Sequence, residues 1–266
     1  MTLSCIQQPH EHLNANLDNG ILTLAINRPK AKNALYGELY LWIAQALDEA
    51  DQSKDVRVVI LRGEDADFTA GNDMQDFMQF IQSPLQGKSG DAPPFVVLKA
   101  AARFSKPLIA AVRGVAIGIG VTILLHADLV YSDQTALFQI PFVSLGLSPE
   151  GAASQLLIQQ AGYHKAAELL FTAQKFNSEK AVAAGLVNSI EEDVYVAALK
   201  QAQILAALPL ASLRQTKALM KHNLDSIVDC IDHEAEIFMQ RVSSPEMAEA
   251  VAAFMQKRKP DFAQFN

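Results

Sequence analysis

The chain has 266 residues, of which 50% are hydrophobic and 19% are charged, a composition typical of one large globular domain or a domain with an appendage. Its formal net charge of -7 argues against a protein that coats nucleic acid, so an anionic ligand would have to be met by local positive groups. Cys5 and Cys230 are too few for a disulfide framework or a metal cluster, and they favour a reducing compartment.

The opening of the chain predicts a β-hairpin. Asn19-Gly20 separates two short alternating runs, and this dipeptide is a strong signal for a two-residue hairpin turn. Apolar residues recur at helical spacing over residues 33–51, and residues 56–63 are typical of a buried strand closed by glycine. We therefore expect an antiparallel start followed by alternating helices and strands.

Small and polar residues follow that strand. In FTAGND, residues 68–73, Asn72 and Asp73 are placed to cap a helix that continues through Phe77. Residues 81–94 are rich in Gln, Ser, Gly and Pro, a composition typical of a mobile lid.

The middle of the chain continues the alternation, and the end is helical. PLIAAV and ADLVYS predict further strands, which indicates an α/β fold of stacked strand-strand-helix or strand-helix units. From Val194 onward the pattern is helical, with breaks at Pro209, near Asn223 and at residues 243–245. We divide the chain into a core, residues 1–206, and a helical region, residues 207–266, that packs on this core or on a neighbouring subunit.

Two glycine-containing loops are candidates for chemistry. The loop at residues 114–120 is not a dinucleotide fingerprint, because Ile123 stands where the third glycine belongs. Gly118 and Gly120 instead leave free N–H groups at a helix start, suited to a phosphate or to a carbonyl oxygen that gains negative charge; tight packing alone is the alternative. With Ala70 and Gly71 in the other loop, each loop can deliver one donor to an oxyanion hole.

A third stretch, GLSPEG at residues 146–151, nearly spells a nucleophile elbow. Its spacing is one residue too long, and Pro149 lacks the N–H that such an elbow needs after the serine. The residues alone favour Ser148 as a helix N-cap, with Pro149 and Glu150 in the first turn. The same tripeptide recurs at residues 244–246, where Ser244 is placed to cap a helix.

Other chemistry has weaker support. The sequence HEH at residues 10–12 lies in a polar segment, and neither a His-Glu-x-x-His nor a Cys-x-x-Cys pattern is present, so we predict no metal site. His126 ends an apolar run and is typical of a satisfied core histidine. The first residues have no signal-peptide pattern, and the longest uncharged run, residues 114–127, is shorter than the ~18 residues of a membrane span.

Five separated motifs occur along the chain: INRPKAKNAL, FTAGND, KPLIAAVRGVAIGIG, ADLVYSDQTALFQIPFVSLGL and AVAAGLV. Together they resemble the crotonase superfamily, the enoyl-CoA hydratase/isomerase fold, over essentially the whole chain. This resemblance implies a spiral of strand-strand-helix turns, a helical carboxyl-terminal region that mediates trimers or dimers of trimers, and an acyl-CoA thioester substrate that itself carries the coenzyme A.

The resemblance also implies roles for individual residues. The backbone N–H groups of Asn72 and Ile119 would stabilise a thioester enolate. Coenzyme A would lie against the segment after the hairpin and the two glycine loops. The positions matching the family's binding residues are Arg28, Lys30, Ala31, Ala70, Gly71, Asp73 and Gly118.

Departures from the family pattern indicate the reaction. Hydratases of this family carry two glutamates at positions that here are Thr122 and Phe142. Glu150 instead matches the single base of the peroxisomal-type Δ3,Δ2-enoyl-CoA isomerases. We therefore predict an isomerase with Glu150 as acid and base, in the bacterial cytoplasm because the end, AQFN, is not a Ser-Lys-Leu signal. The alternatives are another crotonase reaction, such as hydration, thioester hydrolysis or decarboxylation, and a non-catalytic acyl-CoA binder.

Overall fold

The computed structural model describes residues 3–82 and 87–265. Its strands are β1 Leu13–Asp18, β2 Ile21–Ile26, β3 Val58–Gly63, β4 Leu108–Val112, β5 Val115–Ile117, β6 Leu129–Ser132, β7 Leu137–Gln139, β8 Phe176–Asn177 and β9 Ser189–Ile190. Its helices are α1 Ser4–Gln7, α2 Gly37–Gln52, α3 Met74–Gln82, α4 Pro93–Arg103, α5 Ile119–Thr122, α6 Ala153–Ala161, α7 Tyr163–Thr172, α8 Ser178–Ala183, α9 Val194–Ala207, α10 Leu210–Met220, α11 Leu224–Val242 and α12 Pro245–Met255.

The predicted hairpin is present as β1 and β2. Asp18 pairs with Ile21 across the turn, and Asn19 and Gly20 have φ angles of 49° and 80°. Both positive angles match the turn type that this dipeptide favours, because its twist suits two antiparallel strands. The prediction is confirmed.

The larger sheet has the order β1-β2-β3-β4-β6-β9 and is parallel except for the first pair. Successive side chains of β3 alternate between two packing clusters, as the twofold repeat of a strand requires. Val58 and Ile60 pack in a cluster with α9, whereas Val59 and Leu61 belong to the main core, which includes α2 and α4. The smaller sheet has three strands in the order β5-β7-β8, and β5 lies within the second glycine loop, residues 114–120.

The helical carboxyl-terminal region is confirmed, with its breaks at the predicted places. Leu208 and Pro209 separate α9 from α10, residues 221–223 precede α11, and Ser244 caps α12 by accepting a hydrogen bond from the Met247 N–H at 3.2 Å. Within the described residues α11 packs against α4, so this region covers the chain's own core. The prediction of a lid falls partly on residues 83–86, which lie outside the described residues.

In the part of the chain that the structure describes, no single helix is long and apolar enough to cross a membrane. By length and composition alone, α9 and α10 together pass the same test as a pair bent by 109°.

Candidate active site

The two glycine loops lie side by side. The Thr69 N–H donates to the Val115 carbonyl at 2.9 Å, and the Ile117 N–H donates to the Thr69 carbonyl at 3.1 Å. These bonds form a short parallel bridge between the first loop and β5. The tertiary structure therefore brings together two segments that are far apart in the sequence, as the two-donor hypothesis required.

Glycine is needed where these loops meet. A methyl group on Gly71, whose φ is +84°, would lie 2.5 Å from the Ile117 carbonyl oxygen. A methyl group on Gly120 would lie 2.7 Å from Thr69 Cγ2. At Gly71 this contact requires the backbone to move, and at Gly120 the Thr69 side chain would have to shift, so both glycines allow the loops to pack closely.

The proposed donors are free to bind a ligand. Within residues 3–82 and 87–265, the backbone N–H groups of Asn72 and Ile119 donate no hydrogen bond to the protein, whereas their neighbours Gly71 and Gly118 donate to Thr69 Oγ1 and the Gln139 carbonyl. The Asn72 side chain accepts a hydrogen bond from the Tyr40 hydroxyl. Free backbone donors near a cavity are what an oxyanion hole requires.

A cavity of about 250 Å³ opens beside the first glycine loop, at Asn72. Phe77, Phe95 and Phe238 supply aromatic walls, and Asn72 and Glu150 both line the cavity. Phe238 of α11 packs edge-on against Phe95 and Phe77, at ring-centroid distances of 5.8 and 6.4 Å. The structure thus places Glu150 and Asn72, which were predicted separately, in one largely apolar site.

Glu150 is a buried acid at the end of this cavity. Its side chain is 3% exposed, and Thr122 Oγ1 donates to its Oε1 at 2.6 Å. Burial raises the pKa of Glu150 to about 8, because a carboxylate loses its hydration there. The nearby Glu234 charge also raises this pKa, and the hydrogen bond from Thr122 opposes the rise.

The prediction that Ser148 caps a helix and that Glu150 lies in its first turn is wrong. Helix α6 begins only at Ala153, after Gly151 and Ala152 with φ angles of +74° and +58°. These left-handed residues turn the backbone before the helix starts, and Ser148 Oγ has no hydrogen-bond partner within the described ranges. Glu150 therefore lies in an irregular turn, where its carboxyl reaches the cavity.

The side chain of His126 holds this turn in place through a hydrogen bond. It is 1% exposed, and its Nε2 donates to the Gly151 carbonyl at 2.9 Å. Burial lowers the pKa of His126 to about 3, so the imidazole is neutral. The prediction of a satisfied core histidine is confirmed, and its bond fixes the residue next to Glu150.

The predicted coenzyme A segment lies beside the first glycine loop. The Ala70 N–H donates to the Lys32 carbonyl at 2.9 Å, and Arg28 Nη1 forms an ion pair with Asp73 Oδ2 at 2.6 Å. Lys30 is exposed on the short 3₁₀ turn Pro29–Ala31. The structure brings Arg28, Ala70 and Asp73 together and leaves the Lys30 side chain accessible from solvent.

Asn33 is a site residue that the sequence analysis missed. It is fully buried, its Nδ2 donates to the Asp67 carbonyl at 2.6 Å, and its Oδ1 accepts from the Arg28 N–H at 2.7 Å. The Asn33 carbonyl accepts a hydrogen bond from Thr69 Oγ1 at 2.7 Å. The side chain and the carbonyl of Asn33 therefore join the segment after the hairpin to the first glycine loop. Its only sequence signal was its place inside INRPKAKNAL.

A sequence profile described as Enoyl-CoA hydratase/isomerase matches residues 16–265. The chain belongs to the enoyl-CoA hydratase/isomerase family. This match confirms the crotonase resemblance carried by the five motifs and the α/β fold that it implied.

Members of the family with different activities are similar to this chain. It is 30% identical over 245 residues to 2,3-dehydroadipyl-CoA hydratase of Escherichia coli (strain K12), covering 91% of this chain and 94% of that relative. It is also 30% identical over 257 residues to enoyl-CoA delta isomerase 2 of Homo sapiens, covering 93% of this chain and 64% of that relative. A crystal structure from Acinetobacter baumannii, assigned to the enoyl-CoA hydratase/isomerases, is 77% identical with a TM-score of 0.90, covering 92% of this chain and 99% of that one.

Proposed function

We propose that this protein is an enoyl-CoA isomerase that moves a double bond from C3 to C2 of an acyl-CoA thioester. The observation that carries the proposal is the buried carboxyl of Glu150, which lines the same cavity as Asn72. The positions that match the two hydratase glutamates hold Thr122 and Phe142. A site with one positioned acid and base is suited to moving a proton along a chain, whereas hydration also requires water to be activated.

The mechanism follows from the acidity of the thioester. Glu150 removes a proton from C2 of the 3-enoyl-CoA, and the negative charge moves onto the thioester oxygen. The N–H groups of Asn72 and Ile119 donate to that oxygen and stabilise the enolate. The protonated Glu150 then returns the proton at C4, which leaves the double bond conjugated with the thioester.

The surroundings of Glu150 support its role as a base. A carboxylate whose pKa is raised to about 8 binds a proton more strongly than an exposed one, which favours removal of a weakly acidic C–H proton. The walls at Phe77, Phe95 and Phe238 are aromatic, so an acyl chain that fills the cavity displaces water from them. Exclusion of water strengthens the hydrogen bonds to the enolate and disfavours hydration of the product.

The wider assignment follows the family. We propose that coenzyme A belongs to the substrate and that no separate cofactor is used. We also propose a homotrimer or a dimer of trimers in the cytoplasm, supported by the exposed apolar side chains of Leu219 and Met220 on α10, which are 77% and 76% exposed. Sedimentation analysis of the purified chain tests the assembly.

The decisive experiment follows the ultraviolet absorbance of the conjugated product from a 3-enoyl-CoA. Glu150→Gln keeps the shape of the side chain and removes the base, so we expect a loss of roughly 10²- to 10⁴-fold in rate with binding of CoA esters retained. Glu246→Gln is the matched control, because Glu246 ends the same Ser-Pro-Glu tripeptide in a capped helix. We expect this control to keep the wild-type rate.

Other outcomes have defined meanings. Equal activity of the wild type and Glu150→Gln would remove Glu150 from the mechanism. If the wild type conjugates no 3-enoyl-CoA but hydrates a 2-enoyl-CoA or releases free coenzyme A, the activity is another reaction of the family. Tight binding of CoA esters without turnover would identify a binding protein.

A further inference from the structure

Glu234 is a second buried carboxyl that meets the Glu150 turn from another helix. It lies on α11, is 6% exposed, and its Oε1 accepts the backbone N–H of Ser154 at 2.9 Å. Ser154 is the second residue of α6, which begins directly after the two left-handed residues that follow Glu150. Glu234 thus holds the start of α6 and, through it, the turn at residues 150–152.

The Glu234 carboxyl has more capacity than this one bond uses. Its Oε2 has no hydrogen-bond partner within the described residues, although the atom is buried. Cys230 Sγ, one helical turn earlier on α11, lies 3.8 Å from Oε1 and is a weak donor. Burial of a carboxylate with an unpaired oxygen costs stability, which favours a role for Glu234 beyond the fold.

We propose that Glu234 is a positioning residue for Glu150, which anchors the Glu150 turn from α11 and places a second negative charge beside the same buried site. Its catalytic consequence rests on the proposed function, in which Glu150 is the base. The effect of the Glu234 charge on the ionisation of Glu150 does not depend on the proposed function.

The groups that surround Glu150 and Glu234 determine how the charge of one carboxyl acts on the other. Thr122 of α5 and Tyr40 of α2 face Glu150, and Ser154 of α6 and Cys230 of α11 face Glu234. The backbone N–H groups of Ala152 and Ala153 also lower the pKa of Glu234, against the effect of its burial. The Glu234 charge raises the pKa of Glu150, so removal of this charge favours ionisation of Glu150.

The test measures the protonation of Glu150 directly. Infrared difference spectra of the protonated carboxyl band are recorded against pH, and the Glu150 signal is isolated by subtracting the matching Glu150→Gln protein. Glu234→Gln keeps an oxygen acceptor for the Ser154 N–H and removes the charge. Glu236→Gln, two residues along the same helix and exposed, is the matched control.

We expect Glu234→Gln to move the Glu150 midpoint to lower pH and Glu236→Gln to leave it unchanged. The acidic limb of kcat/KM for 3-enoyl-CoA conjugation should move by the same amount, because kcat/KM reports groups of the free enzyme. Glu234→Ala removes the anchor as well, and should also lower kcat by up to about 10²-fold through misplacement of Glu150.

An unchanged Glu150 midpoint in a folded Glu234→Gln protein overturns the proposal, even if its melting temperature falls, because Glu234 would then act only on stability. The spectroscopic midpoint does not depend on turnover. Absence of 3-enoyl-CoA conjugation in the wild type would therefore refute the proposed function and leave this test intact.

Discussion

Thr122 Oγ1 donates a hydrogen bond to Glu150 Oε1 at 2.6 Å, and both side chains are buried. Thr122 ends α5, the short helix that begins with Ile119. One helical turn therefore carries both the second proposed oxyanion donor and the group that orients the proposed base. This coupling fixes the distance between the place where charge develops and the place where the proton is removed.

Thr122→Val removes this hydrogen bond with little change of shape. Because the bond stabilises the charged carboxylate, its loss should raise the pKa of Glu150 further and move the acidic limb of kcat/KM to higher pH. Activity near neutral pH should fall. Thr122→Ser keeps the hydroxyl and should retain the wild-type limb; a limb that does not move in Thr122→Val would argue against Glu150 as the titrating base.

Glu150→Gln should stabilise the protein at alkaline pH. The pKa of Glu150 is about 8 in the folded protein and about 4.5 in a free side chain, so the folded state binds the proton more strongly. The stability linked to this group is present below about pH 4.5 and is lost as pH rises through about 8. Thermal unfolding should show a higher melting temperature for the variant near pH 9, and a difference that shrinks toward acid. The same difference at all pH values would contradict the raised pKa.

Gly71→Ala should lower the catalytic rate more than the same substitution at Gly162, another glycine with a positive φ angle. At Gly71 a methyl group meets the Ile117 carbonyl at 2.5 Å, whereas at Gly162, with a φ of +78°, nothing lies within 4 Å. Both variants carry backbone strain, on the order of 1–3 kcal/mol. Only Gly71→Ala should lose roughly 10²- to 10³-fold in kcat, because it displaces the Asn72 donor. Equal losses in the two variants would show that strain alone is responsible.

His126→Gln should reduce the loss of folding stability that occurs as the pH falls below 6.5. His126 has a pKa of about 3 in the fold against 6.5 for a free side chain, so the unfolded chain binds the proton more strongly. The stability linked to His126 is present above pH 6.5 and is lost as pH falls toward about 3. Melting temperatures measured across this range should fall less steeply in the variant. His222→Gln, at an exposed position, should follow the wild-type slope.

The two Ser-Pro-Glu tripeptides show where inference from the sequence ended. Ser244 caps α12 as its local pattern predicts, with Pro245 and Glu246 in the first turn of the helix. At residues 148–150 the same pattern gave a wrong prediction. There Gly151 and Ala152 adopt left-handed angles, and the His126 bond to Gly151 and the Glu234 bond to Ser154 hold the turn from other elements.

The sequence by itself determined the hairpin, the alternation of strands and helices, the helix breaks and, through its motifs, the family, because turn chemistry, hydrophobic periodicity and motif spacing depend on residues close together in the chain. Only the tertiary structure decided that Asn72 and Glu150 line one cavity, that the loops of Asn72 and Ile119 lie side by side, and why Asn33, Thr122 and Glu234 matter to them. Their roles depend on burial and on hydrogen bonds between distant segments. A glutamate side chain in water has a pKa of about 4.5, whereas the pKa of Glu150 is about 8 because the fold removes its hydration.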